Sequence, residues 1–207
     1  LVNEPYTINA STISDDGRTA AFTSTASIPS GDLLAYYPYN ANATQSDDQL
    51  HLTFPKTQHY TVAGSVPLPD PEACVMAGKG SEATGVNMRN VMAVLKVGQV
   101  FATPTTVKSV EFRDLSGKSV CGDYTVTMTG GIPQTTFDGT GDVLTLDMGE
   151  GVKAEDGSAF IVFLVVPARD YPKGFEITFV DTEGQRTVRT AGTKNGKTLN
   201  RSVVHPV

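Results

Sequence analysis

The chain has 207 residues, 39% of them apolar and 18% charged, with a net charge of −6 and a pI near 5.0. That length suits one large all-β domain or two small ones, and the composition fits β-domains with Ser/Thr/Gly-rich surfaces better than a helical bundle. An acidic surface repels phosphates, which argues against nucleic acid as a partner, and no polybasic cluster is present to hold an anionic membrane.

In chain order, Tyr6 and Ile8 alternate with polar neighbours, Asp15-Asp16-Gly17 marks a turn, and residues 19–24 form a short strand. Ser30-Gly31-Asp32 turns the chain into the apolar and aromatic segment 33–39, expected as a buried strand whose ladder ends at Pro38. A polar loop at 40–48 follows. Leu50, Leu52 and Phe54 then alternate with His51 and Thr53 as a half-buried strand. From 55 to 86 the periodicity fades. Pro67, Pro69 and Pro71 each remove a ladder donor, so a connector is expected here rather than a central strand. Gly78-Lys79-Gly80-Ser81 begins a flexible stretch, and a domain boundary is placed near residue 85.

The second half opens with the apolar run Val91 to Val97, expected as the first strand of a second domain. Lys108, Val110 and Phe112 lie on another strand, and Tyr124, Val126 and Met128 on the next, broken at Gly130-Gly131. Leu144, Leu146 and Met148 alternate again. Phe160 to Val166 is continuous and β-branched, expected as a central strand buried on both faces. Phe175, Ile177 and Phe179 alternate, and Asp181 to Gly184 turns into a strand at 186–191. Asn195-Gly196 is the signature of a tight hairpin, which would fold a last strand at 198–204 back on 186–191. No stretch beyond about 12 residues sustains a helical apolar period, so helices are expected to be few. Strand candidates spaced by about 8–15 residues suggest a β-sandwich for the second half.

The two cysteines, Cys74 and Cys121, exclude a disulfide scaffold. They could bridge only if folding brings them together; otherwise they are buried free thiols that pack as small apolar residues. No apolar run reaches the roughly 18 residues needed to span a bilayer. The chain starts at Leu1 rather than Met and carries no recognisable signal peptide, so a processed or trimmed chain is expected.

No catalytic motif stands out, and the chain is expected not to be an enzyme, with no catalytic, cofactor-binding or metal-binding residues and no cofactor. His51, His59 and His205 lack the spacing of a metal site and read as surface histidines. No Gly-x-Ser-x-Gly elbow accompanies the serines. Gly78-Lys79 has Ala73 where a phosphate loop needs glycine. Asp138-Gly139-Thr140-Gly141-Asp142 spaces two carboxylates as a calcium loop might, but without the closing glutamate, and Asp-Gly is ordinary turn chemistry. Tyr36, Tyr37 and Tyr39 suggest a sugar platform. On an alternating strand Tyr36 points away from the other two, and packing in the sheet is the preferred reading.

The order and spacing of several segments resemble the fimbrillin family, the fimbrial subunits and related surface adhesins of Bacteroides-type bacteria. These segments are Asn90-Val91-Met92-Ala93-Val94-Leu95-Lys96-Val97, Val107-Lys108-Ser109-Val110-Glu111-Phe112 and the stretch from Leu144 to Val152. Phe163-Leu164-Val165-Val166-Pro167, the stretch from Gly174 to Asp181, and Leu199 to Val204 complete the second half. In the first half, Gly31-Asp32 followed by Ala35-Tyr36-Tyr37-Pro38-Tyr39-Asn40 and Leu52-Thr53-Phe54-Pro55 with Gln58 are similar to family elements. The family often has Trp before the Gly-Asp pair; this chain has no Trp, and Ile28-Pro29-Ser30 stands there.

The resemblance implies an all-β fold of two β-sandwich domains of transthyretin-like topology in tandem, residues 1–85 with the connector and residues 86–207. It implies a non-catalytic fimbrial subunit or fimbrillin-like adhesin, exported as a lipoprotein precursor and displayed on the outer membrane or in a fimbrium. Any lipid anchor would come through a precursor segment not present here. Fimbrial members of the family lose their first strand to a protease, and the groove left behind accepts a strand from another subunit. An open groove exposes unpaired backbone groups beside an apolar slot, and an added strand satisfies both. Expected partners are other fimbrial subunits or host and bacterial surface ligands. The alternative reading is a carbohydrate-binding surface module of a glycan-uptake system. The tail is expected to close its own C-terminal domain rather than to be donated.

Overall fold

The computed structural model describes residues 3–25 and 31–207. Leu1 and the Ile28-Pro29-Ser30 segment, on which two of the sequence expectations rest, lie outside the described residues. Among the described residues the regular structure is β, apart from one 3-10 turn at Ala10–Thr12. The all-β expectation holds.

The alternating segments of the second half build a five-stranded sheet. Its order is Arg186–Ala191, Phe175–Asp181, Thr105–Asp114, Leu144–Ala154 and Thr57–His59. The inward residues Val110, Phe112, Leu144, Leu146, Ile177 and Phe179 are buried, while Glu111, Thr145 and Glu176 face out, as period-two patterning requires. A three-stranded sheet covers the inner face. Ala93–Val100 lies at its centre, with Ala159–Val166 antiparallel on one side and Val204–Pro206 parallel on the other. Phe101, Phe160 and Phe179 meet edge to face across the two layers, with ring centroids 5.8 to 6.5 Å apart. Leu95 and Leu164 are fully buried between the layers, each worth about 1.5–3 kcal/mol relative to exposure.

After Thr105–Asp114 the chain leaves this pair of layers. The hairpin Gly122–Thr129 with Ile132–Phe137 joins Gln49–Phe54 and Thr44–Ser46 in a separate four-stranded sheet. A bridge between Cys121 and Gly141 closes the neck of this excursion. The neck requires glycine, because a Cβ on Gly141 would lie 2.3 Å from Cys121 Sγ and 2.7 Å from its carbonyl oxygen. The inner face carries Leu50, Leu52, Phe54, Tyr124 and Val126, all buried. It packs toward a second four-stranded sheet in which Met76–Ser81 pairs with Leu33–Tyr37 on one side and with Gly85–Val86 and Arg89–Asn90 on the other. Three sheets therefore take strands from both sides of residue 85: Gln49–Phe54 pairs with Gly122–Thr129, Thr57–His59 lies parallel to Thr145–Asp147, and Met76–Ser81 pairs with Arg89–Asn90.

The structure departs from the sequence reading at several places. Residues 78–81, expected as flexible, belong to the strand at the middle of a sheet. Glycine is used there for close approach: a Cβ on Gly80 would lie 2.0 Å from Gly85 O, and one on Gly78 would lie 2.6 Å from Asn87 O. Ala159–Val166 is the edge of its sheet rather than the centre. Its apolar run is covered from the side by the Val66–Leu68 strand and by Gln58. The tail does not fold back on Arg186–Ala191. Lys197–Thr198 pairs with Asp170–Tyr171, Leu199 N–H donates to Arg169 O at 3.0 Å, and Leu199 is buried. Ser202, at φ 60°, then redirects the chain to lie beside Ala93–Val100. Burial of Leu199 outweighs the local hairpin preference of Asn195-Gly196.

Candidate functional site

The outer face of the Gly122–Thr129 sheet holds an open polar cup of about 370 Å³. Alternation along the strands places Thr53 and Asp123 side by side on this face, and His51 between Thr44 and Thr125. Thr53 Oγ1 donates to Asp123 Oδ1 at 2.8 Å. His51 Nε2 lies 2.6 Å from Ser46 Oγ, and its Nδ1 lies 3.4 Å from Thr125 Oγ1. Thr125 Oγ1 in turn lies 3.4 Å from Asp138 Oδ2. Asp138 is held at the rim because its own N–H and that of Gly139 both donate to Asp123 O at 3.0 Å. Asn42 closes the other side of the cup.

The chemistry of the cup is that of hydrogen-bond exchange. Asp123 and Asp138 offer acceptors, the threonines offer donors and acceptors, and Asn42 offers both. Ser46 and His51 touch as a nucleophile and base would. His51 is oriented by a threonine hydroxyl at long range, however, and Ser46 sits at the end of the exposed Thr44–Ser46 strand.

A second, smaller concavity of about 140 Å³ lies beside the tail, lined by Cys74, Met92, Val94, Val165, Val203 and Val204. It is apolar, and Val203 and Val204 remain largely exposed at its rim. Burial pushes the Cys74 thiol upward in pKa, with Asp70 adding to the effect.

The residues singled out by sequence fall in separate places. His51 is in the cup. His59 lies on the Thr57–His59 strand, its backbone N–H held by Asp70 Oδ2 at 2.7 Å, and His205 pairs with Leu95 in the tail ladder. Lys79 is ion-paired with Asp32 and Asp48, each at 3.2 Å. Asp138 joins the cup. Tyr36 is half-buried, its hydroxyl lying 2.6 Å from Asn3 Oδ1 and 2.9 Å from Asn40 O, with one proton to share between them. Tyr37 and Tyr39, read as packed in the sheet, are about half exposed instead, Tyr37 as the last residue of the Leu33–Tyr37 strand and Tyr39 beyond it. Cys74 and Cys121 are free thiols. Sequence reasoning missed Thr53, Asp123 and Thr125. The signal available was the run of outward polar positions on two segments, which only strand pairing brings together.

The chain matches no protein-family model and no curated protein. Among solved structures, it is similar to that of a proposed cell adhesion protein from Bacteroides ovatus. The TM-score is 0.52 at 10% sequence identity, over 92% of this chain and 69% of that one. At that identity the similarity is one of fold. Among the described residues no helix is long and apolar enough to cross a membrane.

Proposed function

We propose that this chain is a non-catalytic cell-surface adhesion protein of the fimbrillin type, either a fimbrial subunit or a fimbrillin-like adhesin, that joins its neighbours by β-strand addition. The carrying observation is the shared fold over 92% of the chain with a proposed adhesion protein of Bacteroides ovatus. The family resemblance of the sequence segments points the same way. The outer membrane or a fimbrium is the proposed location.

Strand addition draws support from the tail. Val204–Pro206 is only three residues long, parallel, and largely exposed at Val204. Among the described residues no strand pairs on its outer side, nor outside Arg186–Ala191. Both edges leave backbone donors and acceptors facing outward, and an extended segment of another molecule would satisfy them. The concavity beside Val203 and Val204 offers an apolar slot next to one of these edges.

Immunogold electron microscopy of the source cells tests the proposal. Gold on surface filaments or on the outer membrane, lost when the gene is deleted, is the expected result. Label confined to the cell interior would reject it.

A further inference from the structure

We propose that the cup on the outer face of the Gly122–Thr129 sheet is a binding site for a neutral saccharide. The proposal takes its biological context from the surface-adhesion reading. The geometry of the cup stands apart from that reading.

The first observation is the charge of the face. The four strands Thr44–Ser46, Gln49–Phe54, Gly122–Thr129 and Ile132–Phe137 contain no lysine or arginine. Their outward row across the sheet reads Thr136, Thr125, His51, Thr44. The outer face of the five-stranded sheet is different. There Arg186 is paired with Glu111 through both terminal guanidinium nitrogens, and Arg113 stands opposite Glu176. A solvated sheet face ordinarily carries mixed charges of this kind, as the five-stranded sheet does. The cup face carries hydroxyls, amides and two carboxylates instead.

The second observation is shape. The face is recessed into a cup of about 370 Å³, within the usual range of ligand pockets, about 300–1,000 Å³. The volume has room for a sugar ring.

The third is hydrogen-bond capacity. The side-chain bonds within the cup use one oxygen of each carboxylate, Asp123 Oδ1 and Asp138 Oδ2. The second oxygen of each remains as an acceptor for which the vicinal hydroxyls of a pyranose are matched donors. Carboxylate acceptors make the stronger, charge-assisted kind of hydrogen bond. The same carboxylates repel phosphate and sulfate groups, which directs the site to uncharged sugars. The cup has few apolar side chains to anchor a peptide. It also lacks an exposed aromatic wall, so each site binds weakly, and attachment strength comes from many copies on one surface.

The test uses the full chain, labelled with nitrogen-15, titrated with glucose, galactose, mannose and N-acetylglucosamine, together with a glycan array. Saturable shifts at the amides of Thr53, Asp123 and Thr125 with at least one sugar are expected. Asp123→Ala should weaken that binding by about ten-fold or more, the loss of one charge-assisted hydrogen bond, and Thr53→Val by about three-fold or more, because Asp123 loses the hydroxyl that orients it. Glu150→Ala, an exposed change on the other sheet, should leave it unchanged. All three positions are exposed, and an amide spectrum unchanged away from the substitution confirms that each variant folds. No saturable shift with any sugar and no array signal would overturn the proposal. So would binding that survives both Asp123→Ala and Thr53→Val, or shifts confined to another region. No sugar binding in the titration, together with gene-dependent cell attachment, would leave the adhesion reading standing while the saccharide site falls. Sugar binding by a protein found inside the cell would do the reverse.

Discussion

Gln58 and Val165 hold each other as two peptide groups would: Gln58 Nε2 donates to Val165 O at 2.6 Å, and Val165 N–H donates to Gln58 Oε1 at 3.0 Å. Both residues are buried. Val165 stands opposite Val94 in the ladder with its backbone groups turned away from that partner, at the outer edge of Ala159–Val166. A side-chain amide thus takes the place of a missing neighbouring strand. It joins the three-stranded sheet to the Thr57–His59 strand of the five-stranded one. On the opposite seam the Arg189 guanidinium donates to Gly98 O. The two layers are fastened at both margins.

Gln58→Ala leaves a buried donor and a buried acceptor of Val165 without partners. Each costs about 1–3 kcal/mol, so a loss of about 3 kcal/mol is expected, or about 10 °C in melting temperature for a chain of this size. Urea and thermal unfolding measure it. Hydrogen exchange at the Val165 amide should accelerate together with the loss. A melting temperature within about 2 °C of wild type corresponds to less than about 1 kcal/mol, and would mean that water replaces the amide at almost no cost.

Gly80→Ala and Gly98→Ala form a matched pair. The first places a Cβ 2.0 Å from Gly85 O, a backbone atom that cannot step aside, whereas nothing lies within 4 Å of the second. Gly80→Ala should cost about 3 kcal/mol or more by forcing the strand pairing apart, and Gly98→Ala about 0.5 kcal/mol or less in either direction. Equal effects in chemical denaturation would show that residues 78–81 are not held as a strand.

Asp114 is a fully buried carboxylate. It accepts from Arg169 Nη2 at 2.9 Å and from the Ser116 backbone N–H at 2.7 Å, and Arg169 stacks over the Tyr171 ring at 5.1 Å. Asp114→Ala strips the largely buried guanidinium of its counter-charge and should cost about 3–5 kcal/mol. Replacing Asp114 and Arg169 together should cost less than the sum of the two single changes. A double-mutant cycle in urea that comes out additive would remove the pair from the account.

Deleting residues 202–207 removes the ladder bonds from Val94 N–H to Val203 O, from Val207 N–H to Lys96 O and from Gly98 N–H to Val207 O. It also exposes the edge of Ala93–Val100. The isolated monomer should lose about 2–4 kcal/mol, at about 1 kcal/mol per hydrogen bond plus lost burial. A truncated protein that melts like the full chain but fails to join filaments would instead identify the tail as the donated strand.

The strands at Val107 to Phe112, Leu144 to Met148 and Phe175 to Phe179 were legible in the sequence because each buries one face, and a single face imposes period two. Pairing was not legible, since it is decided by residues far apart. Thr53 meets Asp123 across 70 positions, and Gln58 meets Val165 across 107. The strand Met76–Ser81 was hidden because its glycines look like a linker while serving close backbone approach. The cup escaped notice for a related reason. Thr53, Asp123 and Thr125 are each ordinary outward polar residues, and only the excursion of the Gly122–Thr129 hairpin brings Asp123 and Thr125 beside Thr53 and His51.

Adhesion is the central claim, and attachment of living cells under flow tests it most directly. Source cells lacking the gene should detach from a host-cell or glycan-coated surface at shear that wild-type cells resist, and the complemented strain should regain its hold. Equal retention of all three strains, with the protein confirmed in the wild type, would contradict the account.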